Sequence, residues 1–121
     1  MVRSEKGEYI PDVFDDELFV VIDDGKNKVL LSGCTHHGID NVLRYFAENR
    51  GIAGFDLVLG GLHLSGADPA EIKRQIEACK RYDIDKWALN HCTGDVAFEL
   101  WKKAFGNGVS TASGGEIFQF S

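Results

Sequence analysis

Residues 28–51 decide the fold: Lys28-Val29-Leu30-Leu31-Ser32-Gly33-Cys34-Thr35-His36-His37-Gly38-Ile39-Asp40-Asn41-Val42-Leu43-Arg44-Tyr45-Phe46-Ala47-Glu48-Asn49-Arg50-Gly51. The first five residues read as a strand. Gly33 to Gly38 form a tight loop carrying two histidines. Ile39, Val42, Leu43 and Phe46 then recur at helical spacing and stop at Gly51. This strand–loop–helix unit repeats twice downstream. Asp56-Leu57-Val58-Leu59-Gly60 is a short buried strand, and Gly61 to Gly66 a loop. Asp68-Pro69-Ala70-Glu71 opens a helix, with an N-cap Asp, Pro in the first turn and Glu three residues after the cap. That helix carries Ile72, Ile76 and Cys79 on one face. Lys86-Trp87-Ala88-Leu89-Asn90 is the third such strand and His91-Cys92-Thr93-Gly94 its loop. Val96, Ala97, Leu100, Trp101, Ala104 and Phe105 mark a helix ended by Gly106.

Outward from this core the signals weaken. Glu17-Leu18-Phe19-Val20-Val21-Ile22 is near-continuously apolar, which predicts a strand buried on both faces. The turn Asp23-Asp24-Gly25-Lys26-Asn27 joins it to Lys28–Ser32 as a hairpin. Residues 1 to about 17 neither alternate nor repeat and read as loop or tail. Asp12, Asp15, Asp16 and Glu17, around Pro11, read as solvated surface. Residues 109–120 hold two weak strand candidates around Ser113-Gly114-Gly115, the second of them half exposed. Alternating strands and helices imply parallel pairing. The expected fold is α/β, a mixed β-sheet with about three helices on one face. The other face would then be apolar and in need of cover.

Composition removes several functions. The 121 residues suit one domain, residues 1–121, and can bury about two thirds of the unfolded surface. Thirteen Lys and Arg against 19 Asp and Glu give a net charge of -6, the wrong sign for nucleic-acid binding. No apolar run approaches the ~20 residues of a membrane span, and the polar N-terminus lacks the apolar core of a secretory signal. Three cysteines without scaffold spacing suit a reducing compartment. The expectation is a cytoplasmic protein with no nucleic-acid or membrane partner.

The chemistry lies in the loops. Of the histidines His36, His37, His63 and His91, three loops each hold at least one, directly after a strand. Ligands of open α/β sheets bind beyond the carboxyl ends of the strands, and neighbouring strands lie about 5 Å apart. Histidines 27 residues (36 to 63) and 28 residues (63 to 91) apart can therefore meet on one rim. Imidazole is both the commonest metal ligand and the usual acid–base group near neutrality. A lone loop histidine is ordinarily solvated or bonded to backbone; three in equivalent loops point to a shared site. Cys34 and Cys92 share these loops and read either as small buried residues or as thiolate ligands, the former being simpler. Cys79, Trp87 and Trp101 read as core; Thr35 and Thr93 read either as partners of a metal-ligand imidazole or as caps of the following helices, capping being the more economical.

Four motifs in order carry a resemblance: Ser-Gly-Cys-Thr-His-His-Gly-Ile-Asp-Asn (32–41), Leu-Gly-Gly-Leu-His-Leu (59–64), Ala-Leu-Asn-His-Cys-Thr-Gly (88–94) and Ala-Ser-Gly-Gly-Glu-Ile-Phe (112–118). With Asp15–Ile22 ahead of them, they resemble the C-terminal half of the metallo-β-lactamase superfamily. The match is closest to the metal-dependent hydrolase branch that includes the dihydropterin–ribofuranosylaminobenzene phosphate synthases. The resemblance implies half of an αββα sandwich, a divalent metal (zinc, with manganese or iron as alternatives) and hydrolysis of a phosphoester or similar small molecule. His36 resembles the family's middle histidine ligand and His91 its final one. His63 stands in the loop where many members place a bridging Asp, and no Asp follows before Asp68. His37 matches no family role. The His-x-His-x-Asp-His motif of the family's first half is absent from this sequence.

The expected metal ligands are thus His36, His63 and His91, with the catalytic and substrate-binding residues unassigned. Three functions follow. The chain contributes a partial metal site completed by a chain carrying the missing N-terminal half; or two copies pack sheet to sheet as a homodimer; or the half-fold is a non-catalytic binding or structural protein.

Overall fold

The computed structural model describes residues 2–3, 9–10, 18–36, 38–112 and 118, with the backbone alone at 2–3, 9–10 and 91. Two short strands, β1 (Val2–Arg3) and β2 (Tyr9–Ile10), pair antiparallel as a ribbon, where the sequence predicts only loop or tail. Two residues per strand are too few to show alternation. The acidic run around Pro11, His37 and the second tail strand lie outside the described residues.

The main sheet holds β3 (Phe19–Asp23), β4 (Lys28–Ser32), β5 (Gly54–Gly60), β6 (Asp83–Leu89) and β7 (Val109–Thr111), in that spatial order. β3 and β4 form the predicted antiparallel hairpin. Its turn is closed by carboxylates: Asp23 Oδ1 accepts from Gly25 N (2.8 Å), and Asp24 Oδ1 from Lys26 N (2.9 Å) and Asn27 N (2.6 Å). Such self-bonding is why Asp favours turns. The remaining pairings are parallel and joined by α1 (Ile39–Arg50), α2 (Pro69–Cys79) and α3 (Asp95–Phe105). α2 starts as the sequence predicts: Asp68 Oδ1 accepts from Ala70 N at 2.8 Å, with Pro69 in the first turn.

Strand order rises monotonically from β4 to β7. Crossovers between parallel strands are right-handed, so three successive steps in one direction put all three helices on one face. The core shows this. Val21, Leu30, Val58, Trp87 and Val109 lie in one register across the sheet. Leu30, Val58, Trp87 and Val109 are buried in one cluster with Ile39, Val42 and Leu43 of α1, Ile72, Ile76 and Cys79 of α2, and Ala97 and Trp101 of α3. Trp87, Trp101 and Phe105 pack with ring centroids 5.4–5.7 Å apart.

Residues one position along each strand face the other way. They are Val20, Leu31, Leu59, Ala88 and Ser110 in one row, and Ile22, Val29, Leu57 and Lys86 in the next. Leu57 and Ala88 are buried, whereas Val20 is 43% and Ile22 52% exposed at the β3 edge. The expectation that the first strand is buried on both faces is therefore wrong. Its apolar run is real, but among the described residues β3 is an edge strand of the main sheet and no helix lies above its outer face.

Two outcomes follow for the core. Trp101→Ala should lower unfolding stability by about 3–5 kcal/mol. Trp101→Phe, which keeps a ring and removes an indole N–H that meets no acceptor among the described residues, leaves a smaller cavity and should lose clearly less; urea denaturation of both variants checks the difference. Burial pushes the Cys79 thiol up to about 12. The unfolded thiol ionises near 8.5, so the unfolded chain sheds a proton first and stability falls as pH rises above that value. Iodoacetamide at pH 8.5 should modify Cys79 only in denaturant, and equal rates in native and denatured protein would refute this.

Candidate functional site

Because β4, β5 and β6 run parallel, their C-terminal loops emerge on one rim, and backbone bonds knit these loops together. Gly61 N donates to Gly33 O (2.8 Å), Asn90 N to Gly60 O (2.9 Å), and Leu64 N and Ser65 N to Cys92 O (3.1 and 3.3 Å). The thiol of Cys92 reaches over the end of β5 to Cys34 O at 3.8 Å. A Cβ on Gly61 would land on Cys92 Sγ and Asn90 Oδ1, so glycine is required for this crossing. Cys34 and Cys92 are half-buried. Burial, and then contact with Cys34, push the Cys92 thiol up, which favours the protonated donor seen here.

Thr35 and Thr93 are each 1% exposed and serve the rim rather than the helices. Thr93 Oγ1 accepts from Leu62 N at 3.1 Å, and Thr35 Oγ1 donates to Ser32 Oγ at 3.0 Å. The capping expectation fails because α1 and α3 begin at Gly38 and Gly94, with no side-chain cap. Glycine there lets the chain turn into the helix at positive φ, leaving the Thr93 hydroxyl to tie its loop to the β5 loop and the Thr35 hydroxyl to close its own loop back onto the end of β4.

The structure brings His36 and His63 together. Their rings meet edge to face, with centroids 4.3 Å apart and planes at 87°. His36 is half-buried and His63 exposed. Among the described residues only Thr35 (φ 58°) and His63 (φ 51°) are non-glycine residues at positive φ. Such backbone is sparsely populated and gathers at functional sites, and here it sets the approach of both imidazoles. The backbone of His91 lies in a single 3-10 turn, His91–Thr93, on the same rim. Its neighbour Asn90 bonds the last residue of β5, and Cys92 bonds the loop that carries His63; its side chain is outside the described residues.

Beneath the pair is a polar recess of about 190 Å³, reached between α1 and α2. On its wall Arg74 forks onto Glu71, with Nε to Oε2 at 2.8 Å and Nη2 to Oε1 at 2.7 Å. Its Nη1 holds Asp40 Oδ2 at 3.1 Å. Arg74 keeps the Glu71 carboxyl below its usual range. Gln75 Nε2 donates to the same Glu71 Oε1 at 3.3 Å. Sequence reading missed this network. The signal was present, since Glu71, Arg74 and Gln75 stand at i, i+3 and i+4 on the α2 start, but the pairing of Arg74 with Asp40 crosses 34 residues.

Two adjacent imidazoles are donors of the kind a divalent metal takes, so the pair fits as part of a ligand set. Among the described residues no group of three His, Cys, Asp or Glu side chains could hold a metal ion. Among the same residues no helix is long and apolar enough to cross a membrane.

No family model matches the sequence. The chain is 30% identical over 120 residues to the 7,8-dihydropterin-6-methyl-4-(beta-D-ribofuranosyl)-aminobenzene-5'-phosphate synthase of Methanocaldococcus jannaschii, covering 99% of this chain and 41% of that protein. It is 34% identical over 89 residues to an uncharacterized protein of the same organism, covering 73% of this chain and 31% of the other. Among solved structures it superposes on the crystal structure of a metal-dependent hydrolase of the beta-lactamase superfamily. The TM-score is 0.86 at 30% identity, over 98% of this chain and 46% of that one. The chain spans less than half the length of each of these proteins.

Thr93→Val tests the rim. It leaves the buried Leu62 N–H without its acceptor and should destabilise by about 1–3 kcal/mol. Thr93→Ser keeps the oxygen and should retain most of the stability. Equal melting of the two variants would show that the hydroxyl does not hold the loops.

Proposed function

We propose, from a metallo-β-lactamase-like relationship that covers half of the partner chain, that this chain supplies the histidine rim of a metal-dependent hydrolase. In this reading His36, His63 and His91 hold a divalent metal, zinc first, with manganese or iron as alternatives. The substrate is a small phosphoester or a similar ester. The remaining ligands come from a second half of the sandwich, on further polypeptide or on another subunit. The observation that carries the reading is the edge-to-face contact of His36 and His63, at 4.3 Å, on the rim where ligands of such sheets bind.

A bound metal would supply Lewis-acid polarisation and an activated water. The residues of this chain do the rest. The ties from Thr93 to Leu62 and from Cys92 to Cys34 hold the three loops at fixed separation. The αL backbone at Thr35 and His63 fixes where the imidazoles stand before substrate arrives. A site fixed in advance avoids the reorganisation that would otherwise weaken catalysis. Asp40, held by Arg74, keeps the start of α1 against α2 beside His36. The free cysteines suit a reducing, cytoplasmic setting.

One observation favours a second reading. Val20, Leu31, Leu59 and Ala88 form an apolar row on the sheet face opposite the helices. A second copy packed there would make a two-fold homodimer that binds or scaffolds without catalysis. Light scattering separates the readings: a dimer with no hydrolytic activity in any combination supports the second.

Zinc titration tests the first. The wild-type chain, joined by the complementary half, should bind zinc and hydrolyse bis(4-nitrophenyl) phosphate. His36→Ala, His63→Ala and His91→Ala should each weaken zinc binding by at least the ~10–100-fold that follows loss of a ligand's supporting partner. Unchanged zinc affinity in all three variants would overturn the assignment.

A further inference from the structure

Three hollows run together from the histidine pair along α1. The polar recess shares Thr35 and His36 with a neck of about 140 Å³. The neck shares Leu18 and Phe19 with a cleft of about 490 Å³, whose opposite wall includes Tyr45, Phe46 and Arg50 of α1. Asn41 lines both cleft and recess. The cleft is within the size range of pockets for drug-sized ligands. Leu18 is 76% and Tyr45 50% exposed, so apolar surface stands in water along its lip. Tyr45 packs edge-on against Phe46, centroids 5.4 Å apart, which gives this wall a pair of rings at right angles. Arg50 closes the end of α1 and forms no ion pair with the other described residues. Arg50 stands nine positions after Asn41 on α1, which is about 14 Å at the helical rise.

We propose that this cleft is a substrate subsite: it takes the flat aromatic body of an elongated anionic substrate, with the anionic end at Arg50 and the group to be cleaved at His36 and His63. The proposal rests on the hydrolase reading for what happens at the histidines, but the subsite is defined by its own residues. An aromatic body matches the Leu18, Phe19, Tyr45 and Phe46 surface, and a negative end matches a cation that forms no ion pair with the other described residues, on a chain whose overall charge is -6. Continuity through the neck places the opposite end of such a molecule at the imidazoles.

Calorimetry on the 121-residue chain with 2-naphthalenesulfonate and methanesulfonate tests it. The aromatic sulfonate should bind at least tenfold tighter than methanesulfonate. Tyr45→Ala and Arg50→Glu should each remove most of that advantage, while Tyr45→Phe keeps it. Both positions are on the exposed side of α1, and melting curves check that the variants fold. Equal binding of the two sulfonates overturns the subsite, as it would if the chain's own residues ahead of Leu18 filled the cleft. Binding abolished by Val20→Asp, on the opposite sheet face, and untouched by Arg50→Glu would overturn it too. Zinc uptake measured on the same samples keeps the two readings apart: loss of the metal reading leaves the Arg50 and Tyr45 dependence standing, and loss of that dependence leaves the metal reading standing.

Discussion

The handedness of parallel crossovers, applied three times in one direction, underlies both the core and the site. With strands in the order β3 to β7, it sends α1, α2 and α3 to a single face and leaves their entry loops side by side at a single rim. Helix burial behind Leu30, Val58 and Trp87 anchors the strands, and the strand ends then determine where His36, His63 and the His91 backbone emerge. Had one crossover reversed, one helix would sit on the opposite face and its loop would leave the sheet in a different direction.

Rim rigidity comes from small residues and hydroxyls rather than from charge. Gly61 admits the Cys92 thiol, and Thr93 satisfies a buried amide. The ionic network of Arg74 with Glu71 lies largely in water, the two side chains being 54% and 44% exposed, and such pairs add little stability. Its contribution is geometric: it ties α2 to Asp40 at the start of α1, so the two helices flanking the recess keep a constant spacing.

Much of this is legible in the sequence, for identifiable reasons. Helix periodicity, the Asp68-Pro69 start and the Gly51 and Gly106 stops are local signals, and local signals survive folding. The equivalence of the three histidine loops was legible because it follows from topology. What escaped were facts that depend on distant partners. Thr35 and Thr93 looked like caps, since hydroxyls before helices ordinarily cap; only the fold reveals that glycine takes the junction and that Leu62 stands 31 residues away in need of an acceptor. Val20 and Ile22 looked buried, since an apolar run carries no mark of being at an edge. The positive φ of His63 has no sequence signature in a non-glycine residue. Asp40, Arg74 and the cleft beside Tyr45 belong to the space between elements, which periodicity does not describe.

The sequential order of the parallel strands has a consequence for synthesis. β5 pairs with β4, β6 with β5 and β7 with β6, so each strand docks on the one made just before it. Most pairings therefore close only one helix-length of chain, the situation in which folding is fast. A polypeptide leaving the ribosome can add these strands to the sheet in the order in which they emerge. The rim is finished only when residues 91–94 clear the exit tunnel, when the two earlier histidine loops already have a sheet beneath them.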